Sequence, residues 1–453
     1  MAEEQLVDVI IFGASGFTGK YVIRELLKFT DCPKANGGDG KRKVGIAGRN
    51  KSKLSASLTW ALEGKPSPVQ VSIFEANVDD PASLASLVKK TRLMLNVVGP
   101  YRKYGEPVVK ACVEAGVDYL DITGEPEFME RMEAVYHEPA TKAGSLVVSA
   151  CGYDSIPAEL GVIHNARQFG PPTLPQSCDS YLELSNKLGR IHGNIGTWES
   201  AVLGVAHETD LQKLRKSRPR RSRPQIPGLL TNKPAVHYEP NSRTWAVKLP
   251  SADAIVVRRT FAARIDNPEG LPTVEDETNP DFTERKKQKW ESIKPVQFGV
   301  YVCNKTIAGV VGFFLLGVVL VIFAQFKWGR SLLVKYPEIF SFGTFLKQGP
   351  TEENVRNSSF QQWFVGKGFS DSSKFTKNSK PDKQIVTRIS GPEIGYITTP
   401  ICLVQAALIV LDQRSSLPKG GVLTPGTVFG TTDLQERMEK NGVHFDVVST
   451  SQI

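Results

Sequence analysis

Short apolar runs alternate with amphipathic stretches through the first 150 residues. Six runs have the length and composition of buried strands: residues 7–12, 43–47, 69–74, 93–98, 119–122 and 146–149. Most are separated by stretches with apolar residues at helical spacing. Strands that alternate with helices form a parallel sheet with helices on both faces. The pattern therefore predicts an α/β fold that begins with a doubly wound parallel sheet.

The pattern changes from Ser180 onward. Alternating residues predict strands over 181–184 and 254–259, separated by longer polar loops, of which 267–281 is rich in Pro, Asp and Glu. Residues 354–383 are rich in Ser and Lys and predict a mobile loop. These features predict a second domain of the α+β class.

The strongest apolar signal lies between Lys305 and Lys327. Its 21 uncharged residues, 306–326, would form a helix about 31 Å long, enough to cross a bilayer. A wholly buried core helix is the alternative interpretation. A second apolar helix is predicted over 401–411, and at this length it is too short to cross a membrane.

Composition and charge narrow the protein class. The 453 residues suffice for two or three domains, and 40% apolar with 23% charged residues is ordinary globular usage. Lys and Arg exceed Asp and Glu by 56 − 47 = 9, and residues 213–223 hold seven basic residues and no acid. Such a run is a solvated loop or contacts an anionic surface. No nucleic-acid-binding motif accompanies it, so no nucleic-acid partner is expected.

Cysteine and histidine positions give no metal or disulfide pattern. The cysteines are widely spaced and predict reduced thiols: Cys32, Cys112, Cys151, Cys178, Cys303 and Cys402. The six histidines are dispersed as well, so no metal site is expected. Because two acids near the start are followed at once by an apolar run from Leu6, we expect no cleavable presequence.

A glycine-rich turn follows the first predicted strand. The residues GASGFTG lie between this strand and an amphipathic helix. Glycine lets the backbone approach a pyrophosphate, whose charge is met by free N–H groups and by the positive end of the helix. A tight turn without a ligand is the alternative. The predicted dinucleotide site comprises Gly13, Ser15, Gly16, Phe17, Thr18 and Gly19.

The ends of the following strands predict further cofactor contacts. Arg49 stands where an NAD-preferring site usually has an acid, and its guanidinium suits the 2′-phosphate of NADP; a surface salt bridge is the other interpretation. Asp79 follows the third strand and is placed to cap the adenine. Asn96, Gly99 and Pro100 follow the fourth strand, where the chain should pass beside the nicotinamide. We expect NADP(H) as the preferred cofactor, with NAD(H) as the alternative.

Several motifs together resemble one known family. They are GASGFTG, AGRN, NVVGPY, DYLDITGE (118–125), CGYDSIPAELG (151–161), GTWES (196–200), GPEIGYITT (391–399) and GGVLTPGTVFG (420–430). The chain resembles the saccharopine dehydrogenase-like oxidoreductases, which are related to saccharopine reductases and to bacterial trans-acting enoyl reductases, and the likeness is close to a plant member of this family. The likeness covers nearly the whole chain.

The resemblance implies three segments. They are a Rossmann dinucleotide-binding domain over 1–170, an inserted α+β substrate domain over 171–385 that contains the apolar segment 306–326, and a C-terminal segment, 386–453, that returns to the Rossmann domain. It also implies association with mitochondrial membranes or lipid droplets, and related reductases suggest a homodimer. If 386–453 rejoins the first domain, a crossing at 306–326 would separate the two, so we expect monotopic insertion on the cytosolic side, aided by Lys327, Trp328 and Arg330.

The expected chemistry is hydride transfer between nicotinamide and a C=N or C=C bond of a small or lipid-like substrate, with a non-catalytic nucleotide-binding scaffold as the alternative. Candidate proton donors follow the ends of strands: Tyr101, Tyr104, Tyr153 and Asp154. Packing or loop anchoring is the other interpretation of each. Tyr301-x-x-x-Lys305 has the spacing of short-chain dehydrogenases, but it borders the apolar segment and is rejected.

Overall fold

The computed structural model describes residues 7–31, 40–230, 232–373, 375–376 and 378–453. The first six residues and Cys32 lie outside them. The chain divides into two compact units. The first comprises the described residues of Met1–Tyr153, Pro272–Pro280 and Gly395–Thr424; the second comprises those of Asp154–Leu271, Asp281–Ile394 and Pro425–Ile453. The predicted segments differ from this division in three places. Residues 154–170 belong to the second unit, residues 272–280 belong to the first, and within 386–453 only residues 395–424 join the first unit.

The chain up to residue 153 alternates strands and helices. In order these are β1 Val7–Phe12, α1 Phe17–Leu26, β2 Val44–Gly48, α2 Lys51–Leu62, β3 Val71–Glu75, α3 Pro81–Val88, β4 Thr91–Asn96, α4 Tyr101–Ala115, β5 Asp118–Asp121, α5 Pro126–Ala143 and β6 Leu146–Val148. All six predicted strands are confirmed, with ends that differ by at most two residues.

The rest of the chain mixes helices with longer strands. In order these are α6 Ile156–Arg167, β7 Leu174–Asn186, β8 Gly193–Asn194, α7 Ile195–Ala206, α8 Glu208–Lys216, β9 Val236–Glu239, β10 Thr244–Lys248, α9 Ala252–Asp266, α10 Pro280–Glu291, β11 Gln297–Asn304, α11 Ile307–Ala324, α12 Lys327–Lys335, α13 Pro337–Phe340, β12 Phe345–Leu346, α14 Glu352–Arg356, β13 Ser358–Phe369, β14 Lys383–Pro392, α15 Thr399–Asp412, β15 Gly421–Leu423, α16 Pro425–Phe429, α17 Leu434–Lys440 and β16 His444–Gln452. Short 3₁₀ turns occupy Glu275–Glu277 and Arg414–Ser416, and a π-helical turn, Ile394–Thr398, precedes α15.

The first unit is built on a seven-stranded parallel sheet in the order β15-β6-β5-β4-β1-β2-β3. From β1 the chain winds outward to β3 and then crosses to β4 on the other side of β1. Phe12, the last residue of β1, pairs with Ala47 of β2 and Asn96 of β4, so three strand ends meet at one edge. This change of direction is where doubly wound sheets bind ligands. The predicted Rossmann-like sheet is confirmed.

The C-terminal part of the first unit completes this sheet and its core. β15 pairs with β6, joining Gly421 to Leu146 and Leu423 to Val148. The π-turn and α15 together, Ile394–Asp412, are long and apolar enough to cross a membrane, but 78% of this stretch is buried in the protein. The helix predicted over 401–411 is therefore confirmed, is longer than predicted, and belongs to the core.

A buried ion pair fastens α15 to the start of β2. Both oxygens of Asp412 accept hydrogen bonds from Arg42 Nη2 at 2.8 Å, and the Arg42 side chain is only 5% exposed. Arg42→Ala leaves Asp412 without this partner, so we expect a loss of about 2–4 kcal/mol of unfolding free energy in urea titrations. The control is the ion pair between Arg92 and Asp8 in the same unit, in which the Arg92 side chain is 64% exposed. Arg92→Ala should cost less than about 1 kcal/mol, and equal losses would contradict this account.

The second unit contains a seven-stranded mixed sheet in the order β16-β14-β13-β7-β11-β10-β9. β7 and β11 are parallel, and the other neighbours are antiparallel. α6 packs on one face, where the Asn165 amide donates to the carbonyls of Phe364 and Ile385 at 3.1 Å. The strand predicted over 181–184 is confirmed as part of β7.

One prediction in the second unit is wrong, and another is wrong up to residue 369, where β13 ends. Residues 254–259 lie in α9, because its buried positions Val256, Val257, Thr260 and Phe261 recur at helical spacing and Ser251 caps its first turn. The predicted loop 354–383 begins with the end of α14 and the whole of β13. There the Ser-rich and Gln-rich composition masked a regular alternation of buried and exposed side chains.

The apolar segment 306–326 forms α11, as predicted. Ile307–Ala324 has a mean hydropathy of 2.9, yet only 11% of it is buried. The interpretation as a wholly buried core helix is therefore excluded. α11 and the π-turn with α15 are the two stretches of the described chain that are long and apolar enough to cross a membrane.

Candidate functional site

The glycine-rich turn connects β1 to α1 at the switch point of the first sheet. Gly13 has φ +90°, a left-handed conformation that favours glycine, and its N–H donates to the carbonyl of Ala47 at 2.9 Å. A β-carbon on Gly19 would lie 2.4 Å from the Gly13 carbonyl oxygen. The close approach of α1 to the turn therefore requires glycine at both positions.

The first turn of α1 has the features of an anion-binding site. Ser15 and Gly16 are exposed, and Phe17 and Thr18 are half-buried. Gly16 is the N-cap, no side-chain cap is formed there, and no acid lies in the first turn. The first N–H groups of a helix have no acceptor within the helix and carry the positive end of its dipole. A pyrophosphate fits this arrangement, because it would accept from these groups.

Arg49 lies directly after β2, next to the glycine-rich turn. A β-carbon on its neighbour Gly48 would lie 3.5 Å from the Ser15 hydroxyl oxygen. The Arg49 side chain is exposed and makes no hydrogen bond or ion pair with any described residue. The salt-bridge interpretation therefore finds no support in this part of the chain. A free guanidinium beside the turn suits a 2′-phosphate.

Asp79 lies in an exposed turn after β3. The Asn77 side chain accepts from the Asp79 N–H at 3.3 Å, and Asp80 caps α3 by accepting from Ala82 N–H at 3.0 Å. The Asp79 carboxylate itself has no hydrogen-bond partner among the residues that the structure describes. It remains available to a ligand at the rim of the sheet.

The loop after β4, residues 97–100, is fixed in position by hydrogen bonds from side chains as well as by Gly99 and Pro100. The amide of the fully buried Asn96 donates to the Tyr119 hydroxyl at 3.0 Å and accepts from Val98 N–H at 3.1 Å. Asn96 therefore positions Val98, Gly99 and Pro100, and its own amide is committed to the protein. The backbone of this loop at the exposed Gly99 remains open to a cofactor.

Tyr101 anchors the same loop. Its buried hydroxyl donates to the Asn96 carbonyl at 2.9 Å. Burial, reinforced by the nearby Asp121 carboxylate, raises the pKa of Tyr101 well above its usual value. Both observations support the anchoring interpretation over a role as proton donor.

The other three candidate donors differ in exposure. Tyr104, on α4, is half-buried, and its hydroxyl has no partner among the described residues. Tyr153 is buried in the first unit, where its N–H donates to the Thr399 hydroxyl at 3.1 Å. Asp154, the first residue of the second unit, is exposed. Of the three, Tyr104 and Asp154 keep acidic groups open to a ligand.

Sequence reasoning missed three residues that support the first unit's site. Glu125, at the end of the DYLDITGE motif, accepts at 2.9 Å from the N–H groups of both Tyr101 and Arg102 and so caps α4. Tyr396 packs edge-on against Phe17 of the glycine-rich turn, with ring centroids 4.8 Å apart. Thr399 accepts from Tyr153. All three lie in motifs on which the family resemblance is based, and membership of these motifs is the only feature of the sequence that could have identified them.

A carboxyl that sequence reasoning did not single out pairs with Asp154 in the second unit. Asp154 is exposed as a residue. Its carboxyl is nevertheless partly desolvated by the surrounding protein, and this desolvation raises the pKa of Asp154. Desolvation and then the charge of Asp154 raise the pKa of Asp253 well above its usual value. Asp253 Oδ1 is buried and without a hydrogen-bond partner in the described structure. Desolvation of both carboxyls, and the charge of Asp154 on Asp253, therefore favour the protonated forms.

Glu159, in the CGYDSIPAELG motif, is a buried carboxyl with a structural role. It accepts from the Thr260 hydroxyl, from Gly426 N–H at 2.9 Å and from the Ser155 hydroxyl at 3.3 Å. Burial outweighs these hydrogen bonds and raises the pKa of Glu159 to about 7. The folded protein therefore holds this proton up to about pH 7, whereas the unfolded chain releases it near pH 4.5.

This difference predicts a pH-dependent stability. The contribution of Glu159 is fully present below pH 4.5 and is lost as the pH rises through 7. Between pH 5 and pH 8 we expect it to lower the unfolding free energy by about 2–3 kcal/mol, measured by urea titration. Glu159→Gln should flatten this dependence, whereas Glu114→Gln, at an exposed side chain, should not. The same slope in Glu159→Gln as in the unmodified protein would refute the assignment.

Within the described part of the chain, no group of three His, Cys, Asp or Glu side chains is arranged to hold a metal ion. Five cysteines are described, and all are free thiols.

Tyr301 and Lys305, which have the spacing of short-chain dehydrogenases, contact different partners. The Tyr301 ring stacks on Tyr181 with ring centroids 5.1 Å apart, and Lys305 Nζ lies 3.7 Å from Glu183 Oε1.

Comparisons with known proteins agree with this geometry. Residues 9–148 match the saccharopine dehydrogenase NADP binding domain. The chain is 51% identical to a probable mitochondrial saccharopine dehydrogenase-like oxidoreductase of Arabidopsis thaliana, over 98% of this chain and 97% of that one. It is 29% identical to a lipid droplet localized protein of Caenorhabditis elegans, over 98% of each chain.

A solved structure shares the fold. Apo histidine-tagged saccharopine dehydrogenase (L-Glu forming) from Saccharomyces cerevisiae aligns over 98% of this chain and 100% of that one, with a TM-score of 0.51 and 11% identity. At this identity the likeness shows the saccharopine dehydrogenase fold alone. Taken with the full-length relative and the matched NADP binding domain, it leads to one conclusion: this chain belongs to the saccharopine dehydrogenase-like oxidoreductase family.

Proposed function

We propose that the protein is an NADP(H)-dependent oxidoreductase that reduces or oxidises a lipid-like substrate at a membrane or lipid-droplet surface. The observation that carries the cofactor preference is the exposed Arg49 guanidinium, which lies beside the glycine-rich turn without a partner among the described residues. The first turn of α1 would hold the pyrophosphate, Arg49 the 2′-phosphate, and the loop after β4 the nicotinamide.

The proposed reaction converts a C=N or C=C bond to its saturated form, or the reverse. Reduced nicotinamide supplies a hydride to one carbon of that bond. A proton must reach the other atom, which is nitrogen in an imine and carbon in an enoyl group. Tyr104 and Asp154 are the proposed sources of this proton, because neither side chain has a hydrogen-bond partner among the described residues.

Two observations support a surface setting. α11 leaves most of its apolar length exposed. One relative is named as lipid droplet localized and another as probably mitochondrial. A substrate with an acyl chain would be delivered from such a surface.

Deuterium transfer tests the proposed reaction. Protein and deuterated NADPH, labelled at the transferred position, are incubated with vesicles that contain either enoyl lipids or lipid imines, and products are analysed by mass spectrometry. We expect one deuterium per product molecule, and a rate lowered about 100-fold in Tyr104→Phe or in Asp154→Asn, with NADPH binding unchanged. NADPH binding without transfer to either class would favour the alternative of a non-catalytic nucleotide-binding scaffold.

A further inference from the structure

α11 carries an exposed apolar stripe along its whole length. The side chains that are about half exposed or more recur at helical spacing on one face: Ile307, Val311, Phe314, Leu315, Val318, Val321 and Ile322. Ile307–Ala324 contains no charged residue. A helix at the surface of a water-soluble domain places polar residues on its outer face. The outer face of α11 is instead as apolar as its inner face, which indicates a non-aqueous neighbour.

The opposite face of α11 is packed within the second unit. Leu316, Val319, Leu320 and Phe323 contact a small core that contains Trp198 of α7 and Leu333 of α12. The Trp198 indole N–H donates to the Leu333 carbonyl at 2.9 Å. Only one face of α11 is therefore free to enter a membrane.

Both ends of α11 return to the same unit. Its first residue follows β11, an inner strand of the mixed sheet, after two residues. At its other end the Arg330 guanidinium donates to the Ala324 carbonyl at 2.8 Å, and α12 turns back so tightly that a β-carbon on Gly329 would lie 2.1 Å from the Phe323 carbonyl oxygen. Shortly afterwards β12 pairs with β8, directly before α7. A crossing helix would need its two ends on opposite sides of the membrane.

The exposed stripe continues past the end of α11 into aromatic and basic residues. Trp328 is 59% exposed and stacks on Phe326 with ring centroids 5.5 Å apart. Ile339 and Phe342 are 69% and 63% exposed. Trp rings and basic side chains occur at the boundary between headgroups and acyl chains. Exposed Lys305 and Lys327 flank the two ends of the helix.

A second, charged feature follows α7, the helix that packs against α11. α8 begins one residue after α7, and its last turn opens the basic run of residues 213–223, which contains seven Lys and Arg side chains and no acid. Most of these side chains are exposed. Basic residues close to a bilayer are attracted by anionic headgroups.

We infer that α11 lies flat in the outer leaflet of an anionic phospholipid bilayer, with its exposed stripe among the acyl chains and the basic run against the headgroups. The helix enters one leaflet and does not cross. This inference rests on the surface setting of the proposed function and is independent of its cofactor. A failed membrane test would leave NADPH binding and hydride transfer standing, and a failed transfer test would leave the membrane inference standing.

Flotation with vesicles tests the docking surface. The full chain is mixed with vesicles of about three parts phosphatidylcholine to one part phosphatidylserine, and with pure phosphatidylcholine vesicles. We expect stronger flotation with the anionic vesicles, and a weakening of that preference in high salt because the headgroup attraction is screened. Equal flotation with both vesicle types would overturn the anionic preference.

Paired substitutions identify the inserted face. Leu315→Asp with Ile322→Asp should lower partitioning to both vesicle types at least about tenfold, because two exposed apolar side chains that would enter the acyl chains are replaced by charges. The control is Val135→Asp with Leu188→Asp, which adds the same charge at apolar side chains that are 50% and 54% exposed elsewhere. Circular dichroism and gel filtration establish that each variant is folded. Unchanged flotation of the folded α11 variant would overturn the docking surface.

Labelling from one side tests whether α11 crosses. Lys305→Cys and Ser331→Cys place thiols before and after the helix, and a membrane-impermeant maleimide is added outside sealed vesicles. Mass spectrometry should find both positions modified in the vesicle-bound protein. Protection of one position until the vesicles are opened would overturn the flat orientation.

Discussion

Replacing Gly19 with valine is expected to abolish measurable NADPH binding. A β-carbon at this position would lie 2.4 Å from the Gly13 carbonyl oxygen and 2.8 Å from the Ala14 α-carbon, both of which are backbone atoms that cannot move aside cheaply. α1 would have to withdraw from the glycine-rich turn and would no longer present its first N–H groups to a pyrophosphate. We expect a loss of at least about 100-fold in affinity, measured by calorimetry.

A second helical glycine provides the control for this substitution. Gly204, in α7, has no heavy atom within 4 Å of where its β-carbon would be. Gly204→Ala should leave NADPH binding unchanged and should favour the helix slightly. If folded Gly19→Val protein bound NADPH as tightly as the unmodified chain, the glycine-rich turn would not be the cofactor site.

Arg49→Ala is expected to weaken NADPH binding about 10- to 100-fold and to leave NADH binding nearly unchanged. A guanidinium forms paired, charge-assisted hydrogen bonds with a phosphate, and at this solvent-exposed position their joint contribution is about 1.4–2.8 kcal/mol. NADH has a hydroxyl in place of this phosphate and so loses little. The expected result is a collapse of cofactor selectivity rather than a general loss of binding.

Lys43 and a conservative change at Arg49 serve as controls. Lys43 is exposed and lies just before β2, at the other end of the strand from Arg49. Lys43→Ala should therefore have no effect on either nucleotide. Arg49→Lys should recover part of the NADPH affinity, because it keeps the charge but not the paired geometry. Equal losses for NADPH and NADH in Arg49→Ala would remove the 2′-phosphate assignment.

The first sheet could be predicted from sequence because its signals are local and agree with one another. Each strand is a short apolar run between helical stretches, and the turn after β1 has the glycine spacing that its geometry requires at Gly13 and Gly19. Residues 254–259 could not be assigned locally. Their consecutive β-branched residues suit a strand, but a cap at Ser251 and burial at helical spacing decide for a helix.

The roles of individual site residues depended on contacts between distant parts of the chain. Asn96 and Tyr101 were placed correctly at the end of β4, but the sequence did not indicate that their polar groups bond to Tyr119 and to each other. Asp253 lies 99 positions from Asp154, and only the folded second unit makes their charges interact. For α11 the sequence predicted an apolar helix, and the structure determined which of its faces is packed.

Titration of the unmodified protein with NADPH and NADH, followed by nicotinamide fluorescence, tests whether the glycine-rich turn and Arg49 bind NADP(H). We expect saturable binding of both nucleotides, with NADPH bound at least about tenfold more tightly because Arg49 meets its 2′-phosphate. Binding of neither nucleotide would contradict the account and would leave the glycine-rich turn as a structural element only.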